Sequence, residues 1–264
     1  MEELKRAYRN GFYSFKGLFG FLRPQVYILL QVVNPILQVI CFSLMAKYAY
    51  GDRDITVYVL GNAMVLCYYD AFFGVGNNLI TERSYDTLKL LLASPSSTYK
   101  LVFTKGSFYI VNAFFMVLVG ICTGVLLFNL RISATAIPYL LLCLICAIFT
   151  ACSMGMFIGA IGLVTRDINL LLNLCSNLLM CLCGINFPTE KLPLILRYIS
   201  NVLPLTNALK AAKYIIENAA LDYSKVNYYI FREFILGTLY CVIAYITIKF
   251  MEKLSKVKAT IDIF

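Results

Sequence analysis

Six stretches of this chain, residues 26–46, 55–80, 107–128, 136–164, 168–186 and 229–250, are close to uninterrupted hydrocarbon. A helix needs about 20 apolar residues to cross roughly 30 Å of bilayer interior, and runs of this length meet that requirement. Lipid offers no partners to backbone N–H and C=O groups, so each run must close its own hydrogen bonds as a helix. Hydrophobic residues make up 61% of the 264 positions and charged residues 14%. Soluble domains hold about 45–50% apolar and 25% charged residues, so no soluble core could hide this much apolar surface. The predicted fold class is an all-α integral membrane protein with six transmembrane helices.

The segments between the runs are equally informative. The fourth and fifth runs are separated by Val164, Thr165, Arg166 and Asp167, a charged tight turn in which Asp167 can cap the next helix. The stretch 187–216 is apolar but broken by Pro188, Pro193 and Pro204, and it carries Glu190, Lys191, Arg197, Lys210 and Lys213. A full crossing there would be costly, and a re-entrant pair of short helices at one interface fits better. Residues 1–25 read as an amphipathic interface helix, with Leu4, Tyr8, Phe12, Phe15, Phe19 and Leu22 at three- and four-residue steps among basic side chains. They lack the short apolar core of a signal peptide, so this segment is expected to be retained. Six crossings put both termini on one side. Fourteen of the 23 basic residues then fall on the terminal side, and the positive-inside rule makes that side cytoplasmic. Residues 251–264 become a cytoplasmic tail. The net charge of +9 reads as membrane orientation rather than nucleic-acid binding.

The charged segment between the second and third runs breaks the apolar pattern. In it Glu82 and Asp86 favour a helix N-terminal end, Leu88, Leu91 and Leu92 can form a ridge, and Pro95 stops the helix. Such a helix is either a solvated connector or a knob that docks into a cytoplasmic partner.

Residues 82–95 match the pattern Glu-Arg-x-x-Gly-Thr-Leu-Glu-x-Leu-x-x-Ser-Pro through Glu82, Arg83, Thr87, Leu88, Leu91, Ser94 and Pro95, with Asp86 at the glycine and Lys89 at the second glutamate. A later segment carries Phe187, Pro193 and the run Pro204, Leu205, Thr206. In both motifs and in the order of its spans, the chain resembles a type-2 ATP-binding-cassette (ABC) transporter permease. The resemblance implies that 82–95 is the coupling helix seated on an ATPase subunit, with Glu82, Arg83, Asp86, Thr87, Leu88, Leu91, Ser94 and Pro95 at the contact. It implies that 187–216 is the outer re-entrant pair and that 26–250 is the permease domain. The phosphate-loop pattern GxxxxGK[ST] is absent from the sequence, so ATP and Mg are expected in a separate ATPase subunit, two copies of it, beside a second identical or similar permease chain.

Asp70 lies well inside the second run and is the one intramembrane carboxylate on this reading. Burying it costs about 2.5–3.5 kcal/mol on the insertion scale, so it faces protein or water, as a cargo contact or gate or as a bond to a neighbouring helix. Asn169, Asn173 and Asn177 share one helix face, which spans two and five of the family place beside the translocation pathway; interhelical bonding is the alternative. Gly155, Gly159 and Gly162 form a small-residue packing face, and Asn34-Pro35 should kink the first span. All ten cysteines lie in apolar runs and histidine is absent, so no metal site and no catalytic residue is expected. The function expected is export of an amphipathic substrate, such as a drug, an antimicrobial peptide or a lipid-like compound, across a bacterial plasma membrane. The alternatives are a permease for a lipid-linked polysaccharide, a membrane scaffold, and an enzyme acting on lipids.

Overall fold

A computed structural model describes residues 24–51, 55–84, 98–128, 130, 132–133, 135–162, 168–185, 189–217 and 222–258. The interface helix expected over 1–25 lies almost wholly outside these residues, as do 85–97 of the coupling segment and the end of the tail. Among the described residues every regular element is helical.

Helix α1 comprises Pro24–Ile28, a π-helical turn Leu29–Val33 and Asn34–Tyr50. The turn has a local cause. Pro35 has no N–H to give to the preceding turn, and the ladder shifts so that Asn34 N–H reaches back to Leu29 O. Helix α2 likewise joins Ile55–Tyr68 and Val75–Ser84 through a π-helical turn at Tyr69–Gly74. Thr98–Phe128 forms α3, Ile137–Ile161 forms α4 and Ile168–Leu182 forms α5. A 3₁₀ turn at Thr189–Lys191 leads to two short helices, α6 (Leu194–Val202) and α7 (Thr206–Glu217), where a re-entrant pair was expected. The last helix, α8, runs over Tyr223–Lys258.

Among the described residues five helices are long and apolar enough to cross a bilayer: Gln25–Ala49, Ile55–Glu82, Val102–Phe128, Ile137–Ile161 and Tyr223–Leu254. The fifth expected span is shorter than predicted. Its 15 residues give a helix of about 22 Å against roughly 30 Å of hydrocarbon. Its neighbours nevertheless place it alongside α2. Leu172 packs beside Gly76, the Tyr69 hydroxyl lies 3.5 Å from Met180 Sδ, and Gly184 reaches the level of Tyr58. Residues 168–185 therefore descend antiparallel to α2 from position 76 to position 58, and their end finishes as a bend at 183–185 instead of helix.

Helices α2 and α4 form the buried centre, whereas α1 and α8 present most of their apolar residues outward. A bilayer explains the outward leucines, since lipid is as apolar as the core. Close approach at the centre depends on the glycine face foreseen on α4. A Cβ on Gly155 would lie 2.6 Å from Phe72 O, and one on Gly159 would lie 2.8 Å from Gly76 O. Backbone meets backbone there. Helix α4 also packs extensively on α8, where Gly237 leaves room for Phe149.

Candidate functional site

Asp70 sits in the π-helical turn, midway along α2. Its carboxylate accepts a hydrogen bond from Asn112 Nδ2 on α3 and is also bonded by the side chain of Gln31 in the π-turn of α1. Asn112 Oδ1 in turn accepts from the Tyr27 hydroxyl at 3.1 Å. The two π-turns thus bring polar groups from three helices into one half-buried cluster. Of the two roles open to Asp70, helix-to-helix bonding has named partners: Tyr27, Gln31 and Asn112. None of the three was singled out by the sequence reading.

Asn169, Asn173 and Asn177 lie exposed on α5, and the face opposite them, Ile168, Leu172, Ser176 and Leu179, is buried against the bundle. Ser176 is a polar member of this packed side. Asn173 Nδ2 donates to Asn169 O at 2.7 Å, leaving carboxamide groups presented outward along the helix. Unpaired amides facing hydrocarbon are costly, so this row needs water or another protein surface beside it.

At the far end of α2, Glu82 pairs with Lys105 of α3. This carboxylate, read from sequence as an ATPase contact, is engaged within its own chain and ties the two arms of the charged segment together. Arg83 is in helix, whereas Asp86, Thr87, Leu88, Leu91, Ser94 and Pro95 lie outside the described residues.

A second buried carboxylate corrects the expectation that Asp70 stands alone. Glu233 on α8 has no exposed surface. Its Oε1 accepts from Thr150 Oγ1 of α4 at 2.7 Å and from Leu205 N at 2.8 Å, and its Oε2 accepts from Asn207 N at 3.1 Å. The latter two are N–H groups at the N-terminus of α7, which no helical carbonyl can satisfy. Leu205 has φ +68°, the left-handed region that non-glycine residues rarely adopt, and the bond to Glu233 holds it there. Ser200 Oγ donates to Leu182 O at 2.7 Å, joining α6 to the end of α5. The sequence reading did not single out Glu233, which follows Arg232 near the start of the last apolar run. Its flanking Phe231, Phe234 and Ile235 were the available signal that it enters the apolar layer.

The site is therefore two polar clusters within an apolar bundle, an outward polar row, and a cross-linked charged end. No curated protein matches the chain. The family model described as ABC-2 type transporter matches residues 14–216, most of the bundle and the α6–α7 pair. The chain belongs to the ABC-2 type transporter family and is a multi-pass membrane permease of an ABC transporter, a class of subunit that works with an ATPase.

Proposed function

We propose that this permease is half of the membrane channel of an ATP-driven exporter for an amphipathic substrate, a drug, antimicrobial peptide or lipid-like compound. The exposed row of Asn169, Asn173 and Asn177 carries the reading. It runs along a helix at membrane depth, and leucines flank it at Leu170, Leu174 and Leu178. A surface with both characters suits a molecule that is itself part polar and part apolar. Two chains, identical or similar, face each other across this row. Two ATPase subunits bind the charged ends between α2 and α3, and both termini lie in the cytoplasm of a bacterial cell.

The Glu82–Lys105 bond supports a rigid lever at that end, so a push on residues 85–97 is transmitted into α2 and α3 together. The test uses the permease co-expressed with a candidate ATPase subunit. Arg83→Glu and Asp86→Lys are expected to abolish co-purification and ATP hydrolysis. Asn173→Leu is expected to leave the complex intact but remove stimulation of hydrolysis by an amphipathic probe such as a cationic dye. Retained stimulation in the leucine variant would overturn the pathway role of the row. Undiminished ATPase binding by both charge-reversed variants would overturn the coupling role of 82–95.

A further inference from the structure

We propose that the cavity enclosed by the start of α2, the end of α5 and helix α7 is a binding site for a phosphate group. It lies at the Ile55 end of the bundle, away from the Glu82–Lys105 end, and has a volume of about 430 Å³. The inference goes beyond the transport reading, because one chain builds the site whatever the cargo and whichever way it moves.

Arg197 of α6 and Lys210 and Lys213 of α7 converge on this cavity. The guanidinium of Arg232 adds a fourth positive charge near Lys210. Two carboxylates, Glu190 and Glu217, also line the cavity, so cations outnumber anions. The lysines are held in place by neutral partners. Lys213 Nζ donates to Gly184 O at 2.5 Å and Ile185 O at 3.5 Å, and it lies 5.1 Å from the centre of the Tyr58 ring. Lys210 Nζ donates to Asn201 Oδ1 at 2.7 Å. Among the described residues neither lysine forms an ion pair with a carboxylate. Burial lowers both ammonium groups from their ordinary value, Lys213 to about 8; nearby Arg232 and Arg197 press Lys210 further in the same direction, while Glu190 opposes the shift at Lys210 and Glu217 opposes it at Lys213.

An anion with several oxygens satisfies this arrangement. Guanidinium and ammonium donors match phosphate oxygens in charge and geometry, and such charge-assisted bonds are the stronger kind. Tyr214 and Tyr229 add hydroxyl-bearing rings to the lining. Beside Arg197, helix α6 exposes Leu194, Ile195 and Tyr198, an apolar surface on which acyl chains can lie. The phosphate can therefore arrive on a membrane lipid or free in solution, and the chemistry of the cavity is the same for both.

The full permease, purified in an uncharged detergent without ATPase, separates the two sources. Native mass spectrometry counts retained phosphatidylglycerol against phosphatidylcholine. Thermal unfolding compares sodium phosphate with sodium chloride at equal ionic strength. Lys213→Gln and Arg197→Gln are the test variants, Arg197 being exposed and so replaceable without opening the core, and Lys249→Gln at the far end of α8 is the charge-matched control. Loss of a charge-assisted bond should weaken binding about tenfold or more. Selective retention of phosphatidylglycerol by the wild type and Lys249→Gln, but not by the test variants, assigns a lipid phosphate. A thermal shift by inorganic phosphate with the same dependence, and no lipid selectivity, assigns free phosphate. Identical behaviour of the test variants and Lys249→Gln with both probes overturns the site. Since no ATPase is present, that result leaves the transport reading untouched.

Discussion

Glu233 accepts hydrogen bonds from Thr150 and from the backbone of Leu205 and Asn207, so one side chain joins α4, α8 and the α6–α7 turn. Glu233→Ala strands two buried N–H groups, each worth about 1–3 kcal/mol, and a loss of about 3 kcal/mol is expected. Glu233→Gln keeps an acceptor and should lose less. Thermal unfolding in detergent checks the order wild type, Gln, Ala; an alanine variant as stable as wild type would remove the clamp. Lys213 offers a pH test. Its ammonium is lowered by burial to about 8 from 10.5, with Glu217 opposing the shift. Between those values the unfolded chain binds more protons than the folded one, so stability rises with pH across that window and the cost of the buried charge is fully present below it. Unfolding temperatures measured from pH 7 to 10 should show wild type gaining on Lys213→Gln; a constant gap would contradict this.

At the scale of elements, packing is decided by what the helices lack. Gly155 and Gly159 let α4 touch the backbone of α2, where carbonyl oxygens cannot move aside as a side chain could. Gly159→Ala must push the two central helices apart, costing about 1–3 kcal/mol by overpacking. Gly61→Ala is the contrast, since its Cβ would meet Ile185 O at an ordinary 3.5 Å and should be tolerated. Equal unfolding temperatures for the two variants would show that the α2–α4 contact is not close in solution. The glycine face was legible in the sequence because its spacing is a property of one helix. The π-turn in α1 was half legible: Asn34-Pro35 announced a disturbance, but not that Gln31 would turn toward Asp70.

For the whole molecule, the unresolved demand is the polar row of α5. Pairing of identical chains across it predicts that Asn173→Cys, in a chain whose outward Cys41, Cys122 and Cys181 are replaced by serine, forms an oxidant-dependent disulfide dimer in membranes. Leu126→Cys, on an outward face of α3, should stay monomeric. A monomer at both positions would exclude self-pairing through this face and favour a different second chain.

Chain composition alone determined that the fold is helical and membrane-embedded, and run lengths located five of the six expected spans, because hydration and backbone hydrogen bonding act on each segment separately. The motif residues around Glu82 and Pro204 likewise pointed to the family before any contact was known. Partner choice was decided only in three dimensions. Lys105 lies 23 positions from Glu82 and Thr150 lies 83 positions from Glu233, distances along the chain that no local pattern encodes. The same holds for α5: its polar row was visible in sequence, but which face is buried followed only from its packing beside α2 and α4. Desolvation makes each buried charge seek a partner, and the identity of that partner is a property of the folded bundle.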